Sequence, residues 1–328
     1  YHSYLNSAKK IIAATFLCEQ THSDFLNFHK PEWNDLITKP IAEKMKILGL
    51  TSDHVFPWAD ELGAGVESER FTYSFFDQPG LFLRIRPGKK DTVIKKLQDA
   101  GLKFDILHDD CMGLPNATKV DAVLEIDKEV VIQDHNSQQV LNFLKDPANI
   151  EHPVHVWDCC AASGGKSMLA YDILHGKIEL TVSDIRENIL ANLKKRFETA
   201  GIKKYTSFIS DLSKNNSHPT PHKYQVIICD APCTGSGTWS RTPEQLFFFK
   251  PSTIDVYVEM QQKIVRQAAS QLRKSGVFIY VTCSVFKKEN EGMVNFLKQK
   301  FHLQLLQMEL LKGYDKKADS MFVAVFRK

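Results

Sequence analysis

Two cysteines stand just beyond apolar runs, Cys233 after Val226-Ile-Ile-Cys229 and Cys283 after Val277-Phe-Ile-Tyr-Val281. The first run opens into Asp230-Ala-Pro-Cys-Thr-Gly-Ser-Gly237 and the second into Thr282-Cys-Ser284. Apolar runs closed in this way read as strands buried on both faces, ending at the C-terminal edge of a sheet. Open α/β sheets bind their ligands at that edge. If the two strands are parallel neighbours joined by one crossover helix, the thiols meet although they lie far apart in the chain. Such a pair offers nucleophilic catalysis, one thiolate adding to an electron-poor carbon and a second group helping to undo the adduct. Two buried structural cysteines are the plainer alternative.

A glycine loop supplies a second element of chemistry. Trp157-Asp-Cys-Cys-Ala-Ala-Ser-Gly-Gly-Lys-Ser167 follows the apolar Val154-His-Val-Trp157 and precedes a helical pattern. Glycines there let backbone N–H groups approach a ligand at a helix N-terminus. Asp184 ends the next strand pattern, about twenty residues on, the usual place for an acid that binds ribose hydroxyls. Asp211 ends the strand after that, and three acids at successive strand ends suit an adenosine cofactor. Gly165-Lys166-Ser167 also mimics the end of a phosphate-binding P-loop, with Val226 to Asp230 as its acidic strand. That motif, however, needs glycine where Cys160 stands. Crowded carboxylates suit a sulfonium cation, as in S-adenosylmethionine, better than phosphates. A nicotinamide dehydrogenase would need proton-relay residues that are not evident. With two thiols and an acid beside such a cofactor, cytosine is a fitting substrate. Its carbon 5 becomes nucleophilic only after a thiolate has added to carbon 6.

The elements that must position these groups follow an alternating pattern. From Gln133 onward strands and helices succeed one another, with strands near Val154, Leu180, Ser207, Val226, Val277, Leu303 and Met321, predicting a doubly wound, mostly parallel sheet. Residues 71 to about 127 read as a small α+β unit. Its strands are Leu81–Arg86, Lys103–Leu107 and Ala122–Ile126, its helix Asp91–Ala100. Arg84, Arg86, Lys89, Lys90, Lys95 and Lys96 make it an RNA platform or a solvated basic face. Residues 1 to about 70 read as helical, from the spacing of Leu5, Ile12 and Phe16 and of Ile41, Met45 and Leu48, broken by Pro31, Pro40 and Pro57. Trp239, Phe247, Phe248 and Phe249 are candidates for base stacking, or for covering the next helix.

At 328 residues the chain can bury a large core. A net charge of +3 permits an anionic partner without requiring one. Seven cysteines without a CxxC pair argue against secretion and against zinc. No apolar run approaches the ~18 residues of a membrane span. The chain opens on Tyr1 rather than Met, as a sequence lacking its natural start does.

These residues resemble the RsmB and Nol–Nop–Sun family of RNA cytosine-5 methyltransferases, closest to its bacterial RsmB-like members. The resemblance runs from about Phe71 to the C-terminus. It rests on Gln133-Asp134 with Ser137-Gln138, Asp158 to Lys166, Asp184, Asp211, Asp230 to Cys233, Thr282-Cys-Ser284 and Glu289-Asn-Glu291. It implies a Rossmann-like class I methyltransferase domain over 131–328, a small α+β RNA-binding subdomain over 71–130 and a helical segment over 1–70. It further implies S-adenosylmethionine held by Cys160, Ala161, Ala162, Ser163, Gly164, Gly165, Lys166, Asp184, Asp211 and Asp230. Cys283 would be the nucleophile and Cys233 would help to release product. Asp230 would bind the cytosine edge, with Lys166 beside it. The expected partner is RNA, ribosomal before transfer RNA, for a cytoplasmic monomer without metal. A non-catalytic RNA-binding factor on the same fold is the alternative. Ser163 stands where the family usually has proline, which is expected to loosen the loop. Ile189 stands where bacterial members often carry arginine, and the helical segment is short for a complete NusB-like domain.

Overall fold

A computed structural model describes residues 7–149, 154–214 and 223–328. Five short helices open the chain: α1 Ser7–Cys18, α2 Asp24–His29, α3 Pro31–Asn34, α4 Ile41–Ile47 and α5 Ser68–Tyr73. Phe16, Leu26 and Ile37 form a small core among the first four. Leu5 lies outside the described residues.

The next unit is a four-stranded antiparallel sheet covered by helix α6, Lys90–Asp99. Its strands are β1 Leu81–Ile85, β2 Asp105–His108, β3 Cys111–Leu114 and β4 Val130–Ile132, in the order β2-β3-β1-β4. Ala122–Ile126, expected as a strand, is instead a run of turns. Leu124 N donates to Val120 O at 2.8 Å, and Asp127, at φ 66°, donates its N–H to Val130 O at 2.7 Å. The apolar residues Val120, Val123 and Leu124 are spaced to reach the core from turns, so local bonding absorbs backbone groups that a ladder would have used. The fourth strand comes afterwards, at Val130.

A seven-stranded sheet makes up the rest. Its strands are β5 Val154–Asp158, β6 Ile178–Asp184, β7 Tyr205–Ile209, β8 Tyr224–Asp230, β9 Leu272–Thr282, β10 Gln304–Leu311 and β11 Met321–Arg327. The order is β10-β11-β9-β8-β5-β6-β7. The pairs from β9 to β7 are parallel, while β11 runs antiparallel to β9 and to β10. Helices α7 Gly165–Ile173, α8 Glu187–Thr199, α9 Glu244–Phe248, α10 Ser252–Ser270 and α11 Glu291–Phe301 connect them. Two apolar layers, one on each face, hold the sheet. Val156, Ile228, Ile279 and Met168 lie on one side, and Ile227, Phe278, Val265 and Met293 on the other. The order reverses beside β5, and the loops after β5, β6, β8 and β9 share one edge, the usual ligand crevice of such folds.

The small sheet is tied to the large one through buried charge. Asp172 of α7 accepts from Arg84 Nη1 at 2.5 Å and from Arg86 Nη2 at 2.7 Å, and Arg86 Nη1 also donates to Ala200 O. Both arginines are buried. They are therefore clamps between the two sheets and not part of an RNA-facing basic surface. Lys96 is likewise turned onto Glu129, leaving Lys89, Lys90 and Lys95 at the surface of that unit.

Candidate active site

The loop after β5 is shaped by close contacts. Gly164 adopts φ 86°, and a Cβ there would come within 2.8 Å of Phe197, so only glycine suits this turn. Ala162 holds a left-handed φ of 46° and donates its N–H to Asp184 Oδ2 at 2.9 Å. Non-glycine residues keep such strained conformations where the surroundings over-determine them, and such residues cluster at ligand sites. Ser163, expected to loosen the loop, is tied down: Arg196 Nη1 donates to its carbonyl at 2.9 Å and its hydroxyl at 3.0 Å while pairing with Asp127. A Cβ on Gly165 would meet nothing within 4 Å, so the mouth of the loop at the start of α7 is open.

Carboxylates surround that opening. Asp184, at the end of β6, is buried, which by itself pushes its pKa up. Arg186 and the backbone N–H groups outweigh burial and hold the carboxyl below its ordinary range. Asp211 follows β7 and is lowered by its bond from the Ser213 hydroxyl and by Lys214. Asp158, at the end of β5, is fully buried and accepts from Ser167 at 2.6 Å, while its Oδ1 has no partner among the described residues. Burial raises its pKa to about 7. Asp158, Asp184 and Asp211 thus stand at or just past the ends of three successive strands, beside the open start of α7.

The expected catalytic groups meet on the other side of the same loop. Lys166 Nζ lies 2.6 Å from Asp230 Oδ2. Burial disfavours the ammonium, but the Asp230 carboxylate more than offsets this and Lys166 is raised. Asp230 faces Val281 in the β8–β9 ladder. The loops leaving these strands bring Cys233 Sγ and Cys283 Sγ to 3.4 Å. The hydrogen bond with Cys283, then burial, pushes the Cys233 thiol well above its ordinary value. Gly237 closes the arrangement. Its N–H donates to Cys283 O at 2.8 Å, and a Cβ there would lie 2.2 Å from Ser320 O.

A buried carboxylate holds both cysteine loops. Glu289 accepts from Thr234 N at 3.0 Å and Thr234 Oγ1 at 2.6 Å, one residue past Cys233. It also accepts from Ser284 Oγ, one residue past Cys283, and from Gln261 Nε2 at 2.9 Å. Asn290 donates to Ser284 O and accepts from Thr282 Oγ1. The Glu289-Asn-Glu291 motif was visible in the sequence, but its task of joining the two loops was not. Gln261 carried no signal, and Thr234 only its place in the Asp230–Gly237 stretch.

Of the candidate stacking residues, Trp239 and Phe249 pack against Phe56, Trp58 and Phe286 and are structural. Phe247 and Phe248, on α9, are exposed. Beneath the glycine loop, the thiols of Cys159, Cys160 and Cys229 lie within 4.8 Å of one another. Among the described residues no helix is long and apolar enough to cross a membrane.

Comparison with known proteins agrees with this geometry. Residues 134–326 match the family described as 16S rRNA methyltransferase RsmB/F. The "Probable ribosomal RNA small subunit methyltransferase B" of Bacillus subtilis is 27% identical over 263 residues, 78% of this chain and 58% of that protein. The chain thus spans a little over half the length of such relatives. A methyltransferase homologue from Pyrococcus horikoshii superposes with a TM-score of 0.69 at 20% identity, over 87% of this chain and 98% of its own. NSun6 from the same organism, solved with SFG, gives 0.68 at 15% identity, over 84% and 96%. At such identities these structures speak to the fold: a Rossmann-like methyltransferase sheet.

Proposed function

The chain belongs to the RsmB/F family of 16S rRNA methyltransferases, and on that premise we propose that it methylates carbon 5 of a cytosine in RNA, foremost ribosomal RNA, using S-adenosylmethionine. The observation that carries the reading is the 3.4 Å approach of Cys233 and Cys283 beside the Lys166–Asp230 pair. Cys160 to Lys166, Asp184, Asp211 and Asp230 would hold the cofactor, which when bound supplies the methyl group. The NSun6 structure, solved with SFG, an S-adenosylmethionine analogue, supports the same cofactor.

In this mechanism the target cytosine leaves its stack, at a cost of about a few kcal/mol. Asp230, held by Lys166, accepts a hydrogen bond from the base edge and orients it. Cys283 gives up its thiol proton to solvent and its sulfur bonds to carbon 6, opening the carbon 5–carbon 6 double bond so that carbon 5 is electron-rich enough to take the methyl group. Transfer of the carbon-5 proton to a base, water or the Cys233 thiolate, then re-forms the ring double bond and expels the Cys283 sulfur as thiolate. Cys233 is positioned to help in this second half. The resemblance to the RNA methyltransferase family assigns the attack to Cys283. Glu289 positions both loops without touching the base.

Incubation with labelled cofactor and total RNA tests the reading. Cys283→Ala should abolish incorporation, by at least about 10⁴-fold if covalent catalysis is lost. Cys233→Ala should accumulate a protein–RNA adduct on a denaturing gel. An adduct from the Cys283 variant and none from the Cys233 variant would reverse the two roles. No incorporation by wild-type chain that binds the cofactor would sink the enzyme reading.

A further inference from the structure

The small antiparallel sheet carries a cluster of soft donors that the proposed reaction does not use. His108 ends β2, Cys111 begins β3, and His135 follows β4 in the segment leading to the large sheet. One ring nitrogen of each histidine and the Cys111 thiol all lie within 4.8 Å of one another. Cys111 and His135 are buried, and Nε2 of His108 is buried with no hydrogen-bond partner among the described residues. From this convergence we propose that His108, Cys111 and His135 form a binding site for a zinc-class transition-metal ion.

The distances suit such an ion. Zinc bonds of about 2.0–2.1 Å to nitrogen and about 2.3 Å to sulfur place adjacent tetrahedral ligands roughly 3.3–3.6 Å apart. Cys111 Sγ and His135 Nδ1 are 3.5 Å apart. The His108 donor nitrogen, at the end of β2 beside the hairpin turn, lies within 4.8 Å of both, close enough for a bound ion to draw it in. A thiol–imidazole hydrogen bond alone would account for Cys111 and His135 but leaves the buried His108 nitrogen unexplained. One sulfur and two imidazoles select a borderline-soft cation over magnesium or calcium. On binding, the Cys111 S–H proton leaves to solvent as the sulfur–metal bond forms. A cavity of about 770 Å³, lined by Phe82, Lys103, Asp105, Lys316 and His135 itself, opens beside the cluster.

The ion would act as a staple. It would join the β2–β3 hairpin to the segment whose neighbouring Asp134 accepts from Arg241 at 2.9 Å and from Asp319 N. The small sheet and the large one would then be fixed at a second point, besides the Asp172 clamp. This inference does not depend on the proposed reaction.

Cobalt substitution tests it. The full chain, stripped with a chelator and titrated with Co²⁺, is expected to take up one equivalent with a thiolate-to-cobalt charge-transfer band, displaced by Zn²⁺, and to melt at a higher temperature. Cys111→Ser should lose the band. His135→Gln and His108→Gln should weaken binding at least tenfold, with far-ultraviolet circular dichroism checking that each is folded. Should Cys111→Ser not fold, His108→Gln carries the test from its turn position. Cys229→Ser, in the other thiol cluster, should leave the band intact. Failure to bind at micromolar free metal overturns the proposal, as does a band that survives Cys111→Ser and disappears in Cys229→Ser.

Discussion

Lys166 stands in the first turn of α7 and Asp172 in its last, and each anchors an ion pair reaching another element. At the first turn, Lys166 meets Asp230 with side chains 12% and 28% exposed. Near the other end, Arg84 and Arg86 close on Asp172 with exposures of 4%, 10% and 7%. The first pair stands at the sheet edge with Asp230 partly exposed, so a ligand could share its carboxylate. The second is sealed between two sheets and can hold only itself. Burial, more than residue type, separates a pair that a ligand could reach from one that is purely structural. Breaking a sealed pair strands a charge, whereas rearranging an open one lets water or substrate replace the lost partner.

The largest effect is expected at the sealed end. Asp172→Ala leaves two buried guanidinium groups without their carboxylate and should cost about 3–5 kcal/mol, measured as a lower urea midpoint. Methyl transfer per folded molecule should be unchanged below the transition. Equal losses of stability and specific activity would erase the contrast between the two ends. Under the open end, Asp158 brings a pH dependence. Its folded-state carboxyl, raised from 3.8 to about 7, binds its proton more tightly than the unfolded chain does. Its contribution is therefore intact below about pH 4 and drains as pH rises to about 7, by up to about 4 kcal/mol at about 1.4 kcal/mol per unit. Asp158→Asn should flatten that slope, so its stability relative to wild type should improve between pH 5 and pH 8 in paired urea titrations. A parallel pair of pH profiles would show that the burial is relieved by some other route.

At the open pair itself, Lys166→Met is expected to slow methyl transfer by about a hundredfold, near 2.7 kcal/mol, with little change in unfolding midpoint. A large stability loss without a rate defect would make this pair structural as well. The smallest expected change is at Glu289→Gln, which keeps the shape but turns an amide toward donors from Thr234 and Ser284. About a tenfold fall in the rate of adduct formation, measured in the Cys233→Ala background, corresponds to about 1.4 kcal/mol. Unaltered adduct kinetics would remove Glu289 from the positioning of the cysteine loops.

Much of the large sheet was legible beforehand because its signals are local. Each parallel strand buried on both faces is a short apolar run, and each ends in a polar or glycine-rich turn that marks the ligand edge. Asp184, Asp211 and Asp230 could be picked out for that reason. The small sheet was harder to read. Ala122–Ile126 is apolar and β-branched enough for a strand, yet the turn at Asp127 absorbs its backbone bonds, and the strand starts at Val130. Arg84 and Arg86 read as surface cations, since nothing nearby in the chain announces Asp172. The same holds for His108, Cys111 and His135, which follow no metal-binding spacing and meet only because β2, β3 and the segment after β4 converge.

Sequence by itself determined which residues could bear the chemistry and which strand end each would occupy, because apolar periodicity and turn residues act over a few positions. It also implied the thiol pair, since a parallel neighbour with one crossover leaves little freedom in where Cys233 and Cys283 can go. Tertiary structure alone decided that Glu289 joins the two cysteine loops, that Trp239 is core while Phe248 is exposed, and that two arginines serve a clamp. Those outcomes depend on desolvation and on partners far along the chain, and both are properties of the assembled fold.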